Sequence, residues 1–157
     1  MTNNYLPTKT YKVILASSSK TRRDHIKKYI KGVKMINHLV DESKIKMEKK
    51  NPNKLALILA REKALSVRLE YPKDMIIASD QILVCDNVIL SKPKNYRKAV
   101  NNLLFLRNKK HSLISSIYVL KSSKLFFKQI KRAEIFFKDI DRDVIEDYVK
   151  QNEKTAF

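Results

Sequence analysis

The chain has 157 residues, 43% of them hydrophobic, enough to bury a core of its own and natural for one domain over residues 1–157. Its 34 Lys+Arg against 16 Asp+Glu give a formal net charge of +18, which suits polyanionic partners but reads largely as solvated surface, since charge alone argues solubility rather than function. The one cysteine, Cys85, excludes an internal disulfide and fits a reducing, cytoplasmic setting, and the one glycine excludes a P-loop or GxGxxG fingerprint. The polar N-terminal stretch offers no secretory apolar core, and no apolar segment approaches a membrane span, so no membrane partner is expected.

In chain order, the apolar and β-branched run Tyr11–Ala16 predicts a buried first strand. Thr21–Lys31 predicts a helix with Gly32 as its C-cap, and Val33–Leu39 a second strand. Asp41–Asn53 reads as a charged loop. Asn53–Tyr71 is the clearest helix, with Leu55, Ile58, Leu59, Leu65 and Leu69 at helical spacing, Asn51 or Asn53 as its cap and Pro72 as its stop. Met75–Ser79 predicts a strand ending on Asp80. A second short strand at Ile82–Cys85 then turns through Asp86-Asn87 into Val88–Leu90. Tyr96–Leu106 predicts a helix. Ser112–Leu120 and Leu125–Phe137 form a ribbon joined at Lys121–Lys124, and Asp141 caps a last helix over Asp141–Gln151. Alternating strands and helices followed by a late hairpin predict an α/β fold with a mixed, twisted sheet and flanking helices.

Four groups carry the chemistry. Ser17–Ser19 with Arg22 and Arg23 follow a strand and open a helix, where free N–H groups and arginine forks favour phosphate. Asp41-Glu42 is an acidic pair in a basic loop. Asp80 stands at the carboxyl end of a strand, where open α/β sheets place ligands. Lys92 precedes Pro93, which holds its backbone extended. Carboxylates that bind a hard cation, together with bases that neutralise phosphate charge, are what phosphoryl or nucleotidyl chemistry needs. Each group also has a plainer reading as a cap or a solvated charge. His25, His38 and His111 lack the spacing of a zinc site.

Taken together, these pieces resemble the Maf-like nucleoside triphosphate pyrophosphatases. The family's LASxSPRR-like opening appears as Leu15–Arg23, its VDE element as Val40-Asp41-Glu42, and its LAxxKA pattern as Leu59–Ala64. Its acidic strand end appears as Ala78-Ser79-Asp80-Gln81, its GKP element as Ser91-Lys92-Pro93, and its H-x-V-x-T-G strand start as His111–Ser116. The resemblance implies cleavage of nucleoside triphosphates between the α and β phosphates, releasing a monophosphate and pyrophosphate. It implies that Ser17, Arg22, Arg23, Lys63 and Lys92 grip the triphosphate. Glu42 and Asp80 would bind a divalent cation, Mg²⁺ or Mn²⁺, and activate water, with Asp80 the favoured base. Gln81 is similar to the branch acting on 7-methyl-GTP, with the dTTP/UTP branch next. An elongated, two-lobed Ham1-like architecture with a central cleft and a possible homodimer are also implied, without a specific nucleic-acid partner. Lys20, Ser91 and Ser116 depart from the family's proline and glycines. The chain ends at Phe157 ahead of the family's glutamine-bearing loop, so a C-terminally truncated domain is expected. The alternatives are an inactive remnant and a basic nucleic-acid-binding or regulatory protein on the same scaffold.

Overall fold

A computed structural model of the chain describes residues 11–47 and 51–152. The elements run β1 (Val13–Ala16), α1 (Lys20–Lys27), β2 (Lys34–Ile36), α2 (Glu42–Met47), α3 (Pro52–Val67), β3 (Met75–Cys85) and β4 (Val88–Leu90). Then come α4 (Tyr96–Leu106), β5 (Lys109–Lys121), β6 (Lys124–Phe137) and α5 (Arg142–Gln151). The fold is α/β with a six-stranded mixed sheet of order β2-β1-β3-β5-β6, to which β4 adds by pairing with β3. β1 is parallel to both neighbours, with Leu15 opposite Met35 and Ile77, and β4 is antiparallel to β3.

Two compact units divide the chain. The first comprises residues 11–47, Leu57–Asp80 and Ser116–Gln129; the second comprises residues 51–56, Gln81–Ser115 and 130–152. In the first, Ile14, Ala16, Ala60, Ala64, Val67, Ile76, Ala78, Tyr118 and Leu120 form the core. In the second, Ala99 and Val100 of α4 pack on Ile145 and Val149 of α5.

The sequence-based boundaries shift in several places. Met75–Cys85 is one continuous strand rather than two, because Ser79–Gln81 keeps the extended alternation that the polar residues hide. The expected loop at Asp41–Asn53 contains α2 and the start of α3, while residues 48–50 of that expectation lie outside the described residues. Asn51 caps α3, its side-chain oxygen accepting from the Asn53 N–H at 2.9 Å, and Pro52 occupies the first helical position. α3 stops at Val67, so Leu69, expected on the apolar stripe, is 84% exposed. α1 ends at Lys27 rather than Lys31, and Gly32 serves the following turn at φ +72° rather than the helix cap. Asp141 takes the cap position of α5 without a side-chain cap bond. A chain with one glycine must find left-handed turn residues elsewhere. Asp86 and Asn87 supply them between β3 and β4, as do Ser122 and Ser123 between β5 and β6.

Candidate active site

The end of β1 builds a serine-arginine corner in the first unit. Ser17, 1% exposed, donates its N–H to the Ile36 carbonyl at 2.9 Å, tying the turn to β2. Its hydroxyl accepts from the Ser19 N–H at 3.2 Å, and the Ser19 hydroxyl caps α1 by accepting from the Arg22 N–H at 3.4 Å. Arg23 locks the loop from outside: Nε donates to the Ser17 carbonyl at 2.7 Å, and a terminal nitrogen donates to the Asn37 side-chain oxygen. Much of the Arg23 fork is thereby committed to architecture. The neighbouring Arg22 is half-buried, and its side chain has no partner among the described residues.

The acidic cluster lies in the same unit. Leu55, Leu59 and Val67 form the buried row of α3, and Lys63 falls on that row, 2% exposed. A lysine drawn into a core must be paired. Its Nζ meets Asp80 Oδ1 at 2.6 Å and Glu42 Oε1 at 2.7 Å. Asp80 is itself 5% exposed. The second oxygen of Glu42 accepts from Lys46 at 2.7 Å, one turn along α2. Burial pushes the Glu42 carboxyl upward, but the hydrogen bonds from Lys46 and Lys63 outweigh it and hold the pKa at about 2. His38 brings Nε2 to 3.8 Å from Glu42 Oε1, while its Nδ1 is buried without a partner among the described residues. Burial first, and the Lys63 charge second, lower its pKa below the usual histidine range, so its ring is neutral at pH 7. Asn37 and His38, adjacent in the chain, connect the corner to the cluster: Arg23 bonds the first and Glu42 faces the second.

The expected acidic pair splits in function. The Asp41 carboxylate accepts from the Ser43 N–H at 3.1 Å and opens α2, so only Glu42 reaches the cluster. Sequence reasoning placed Ser17, Arg22, Arg23, Glu42, Lys63 and Asp80, and all of them lie in the first unit. It missed Asn37, His38 and Lys46. The Glu42–Lys46 spacing of four was a usable signal, hidden by reading the segment as a loop.

Gln81 and Lys92 belong to the second unit, where they line a cavity of about 400 Å³ with Leu83, Leu103, Leu113 and Tyr148. The Gln81 amide donates to the Ser115 hydroxyl at 3.0 Å. Alternation along β3 sends Asp80 and Gln81 to opposite faces of that strand, one buried and one exposed. Cys85 is a buried free thiol, its Sγ 3.8 Å from the Lys110 carbonyl, as its apolar surroundings predict. No helix among the described residues is long and apolar enough to cross a membrane.

The chain is 35% identical over 141 residues to a protein of Pyrococcus abyssi named dTTP/UTP pyrophosphatase, covering 90% of this chain and 73% of that protein. It is 31% identical over 140 residues to a Legionella pneumophila (strain Lens) protein named nucleoside triphosphate pyrophosphatase, covering 88% and 70%. Its fold is shared with the Staphylococcus aureus Ham1 protein at a TM-score of 0.50, with 14% identity over 79% of this chain and 69% of that one. The profile of the family described as Maf-like protein matches residues 12–156. With the serine-arginine corner and the Glu42–Lys63–Asp80 cluster both in place, the chain belongs to the Maf-like family.

Proposed function

We propose that this chain is a nucleotide diphosphatase that hydrolyses nucleoside triphosphates between the α and β phosphates, yielding a monophosphate and pyrophosphate. The observation that carries this reading is the convergence of Glu42 and Asp80 on the Lys63 ammonium, at 2.7 and 2.6 Å, in the unit that also holds the Ser17–Arg23 corner. The relatives named dTTP/UTP pyrophosphatase favour dTTP and UTP as first substrates. Gln81 motivates 7-methyl-GTP as the second arm of the assay.

Roles follow from the electrostatics. The corner receives phosphate oxygens through backbone N–H groups at the start of α1 and through Arg22. Lys63 neutralises charge that grows on the leaving pyrophosphate, and Lys92 carries the substrate-binding role that the resemblance implies. A positioned carboxylate can take the proton of the attacking water, and the resemblance favours Asp80 over Glu42 for it. Asp80 takes that role: its carboxylate accepts the proton as the water oxygen bonds to the α phosphorus and the bond to the bridging oxygen breaks. The two carboxylates present hard oxygen donors to a point already occupied by a cationic group, which suits Mg²⁺ or Mn²⁺ held jointly with phosphate oxygens. Glu42 and Asp80 would hold such an ion, which when bound supplies further charge neutralisation at the reacting phosphate.

The test incubates the folded chain and Mg²⁺ with dTTP, UTP, 7-methyl-GTP and pseudouridine triphosphate, and follows both phosphate products. Pyrophosphate and monophosphate in equal amounts are expected from at least one of them. Orthophosphate release, or no release from any, overturns the proposal.

A further inference from the structure

We propose that Lys63 is a built-in counter-ion that keeps divalent metal out of the Glu42–Asp80 pair until a triphosphate carries the metal in. The inference deepens the pyrophosphatase reading and takes from it only the identity of the incoming ligand.

Three observations on one cluster support it. The Lys63 ammonium lies within 2.7 Å of an oxygen from each carboxylate, at the point where a shared ion would sit. Both Glu42 oxygens are engaged, Oε1 by Lys63 and Oε2 by Lys46, so a metal must displace at least one ammonium to gain a close contact there. Two ammonium groups already balance the two carboxylates, and the cluster has no excess negative charge to attract a free dication. Among the described residues no group of three or more His, Cys, Asp or Glu converges, so this pair too lacks the ligands to hold a dication unaided.

A triphosphate changes that balance. It adds several negative charges and oxygen donors that complete the coordination shell, which two carboxylates alone leave mostly to water. It also offers Lys63 a new partner. The lysine has a flexible four-carbon stem and a compact ammonium that can exchange a carboxylate for a phosphate oxygen while staying paired. Lys63 is thus a positioning residue that sets the order of binding, as well as a phosphate contact.

The experiment measures Mn²⁺ binding by the loss of the free-ion electron paramagnetic resonance signal, with no turnover required. Parent protein is titrated alone and with the non-hydrolysable α,β-methylene analogue of dTTP, and Lys63→Met is titrated alone. The expected result is weak binding to the parent, with binding at least about tenfold tighter both in the analogue complex and in Lys63→Met alone, because removing Lys63 strips Asp80 of its ion pair and frees one Glu42 oxygen, Lys46 still holding the other. Added Mn²⁺ should then raise the melting temperature of Lys63→Met and leave that of the parent unmoved. If Lys63→Met fails to fold, Lys63→Gln keeps a neutral polar group of similar reach and carries the same expectation. Parent protein that binds Mn²⁺ alone as tightly as the neutral variant, or an analogue that brings in no Mn²⁺, overturns the proposal. A chain that shows this exchange yet hydrolyses none of the nucleotides loses the pyrophosphatase reading and keeps the counter-ion role.

Discussion

The Glu42–Lys63–Asp80 cluster and the cavity lined by Gln81 and Lys92 treat charge in opposite ways. In the first, Lys63 and Asp80 are almost fully removed from water, and each is held by an ion pair under 3 Å. In the second, Lys92 is exposed and stands beside a largely apolar lining of leucines, Pro93 and Tyr148. A buried charge cannot be separated from the fold, because losing its partner costs far more than an exposed pair is worth. An exposed lysine at the mouth of an apolar recess carries no such debt. Substitutions in the cluster should therefore move stability and activity together, whereas those around the cavity should move activity alone.

The sharpest test of that contrast is Lys63→Met. It strands the buried Asp80 and takes one of Glu42's two partners, and should lower stability by about 3–5 kcal/mol, read from denaturant unfolding. A loss below 1 kcal/mol would put the cluster in the same class as a surface pair. Asp80→Asn is the complementary change: Lys63 keeps Glu42 as a partner, so a cooperative fold should survive while turnover falls by about 10³-fold. Turnover at the parent rate would remove Asp80 from the chemistry. Lys92→Ala should raise KM by about tenfold with unfolding unchanged within about 0.5 kcal/mol, and a large stability loss there would break the comparison.

Acid supplies a fourth test. Glu42 titrates at about 2 in the fold against an ordinary 4.5, so its contribution is complete above 4.5 and is lost as pH falls toward 2. His38 acts in the same direction at higher pH. Its lowered pKa means the unfolded chain takes a proton first, and stability begins to fall as pH drops below about 6.5. Glu42→Gln should flatten the lower branch and enlarge the upper one, because the Glu42 charge favours the protonated His38 ring, as followed by melting temperature against pH. The smallest expected effect is Ser19→Ala, about 1 kcal/mol for the lost cap of α1, with no change in the second unit's cavity.

Much of this was legible in the amino-acid order. α4 occupies the predicted Tyr96–Leu106, and the structure adds its cap, the Asn95 side-chain oxygen accepting from the Lys98 N–H at 2.9 Å. The Asp86-Asn87 turn was equally plain, since few residues tolerate two successive left-handed positions. β3 was harder. Ser79, Asp80 and Gln81 look like a break, and only pairing with its neighbours keeps the strand extended through them. α2 was misread because three of its six residues are charged and it is too short to make an apolar stripe.

What the sequence determined by itself was most of the element order, the Asp86-Asn87 turn, and a set of acidic and basic residues at spacings that match one family, all of which depend on near neighbours along the chain. Lys63 even announces itself, as a charge on the apolar row between Leu59 and Val67. Only the tertiary structure decided how those residues divide their work. It turns Glu42 inward and leaves Asp41 as a cap, commits Arg23 to the loop while leaving the Arg22 side chain without a partner among the described residues, and adds His38 and Lys46 to the cluster. The reason is physical: a buried charge takes its state from partners brought in across many residues and from the water it loses, and neither is written in local spacing.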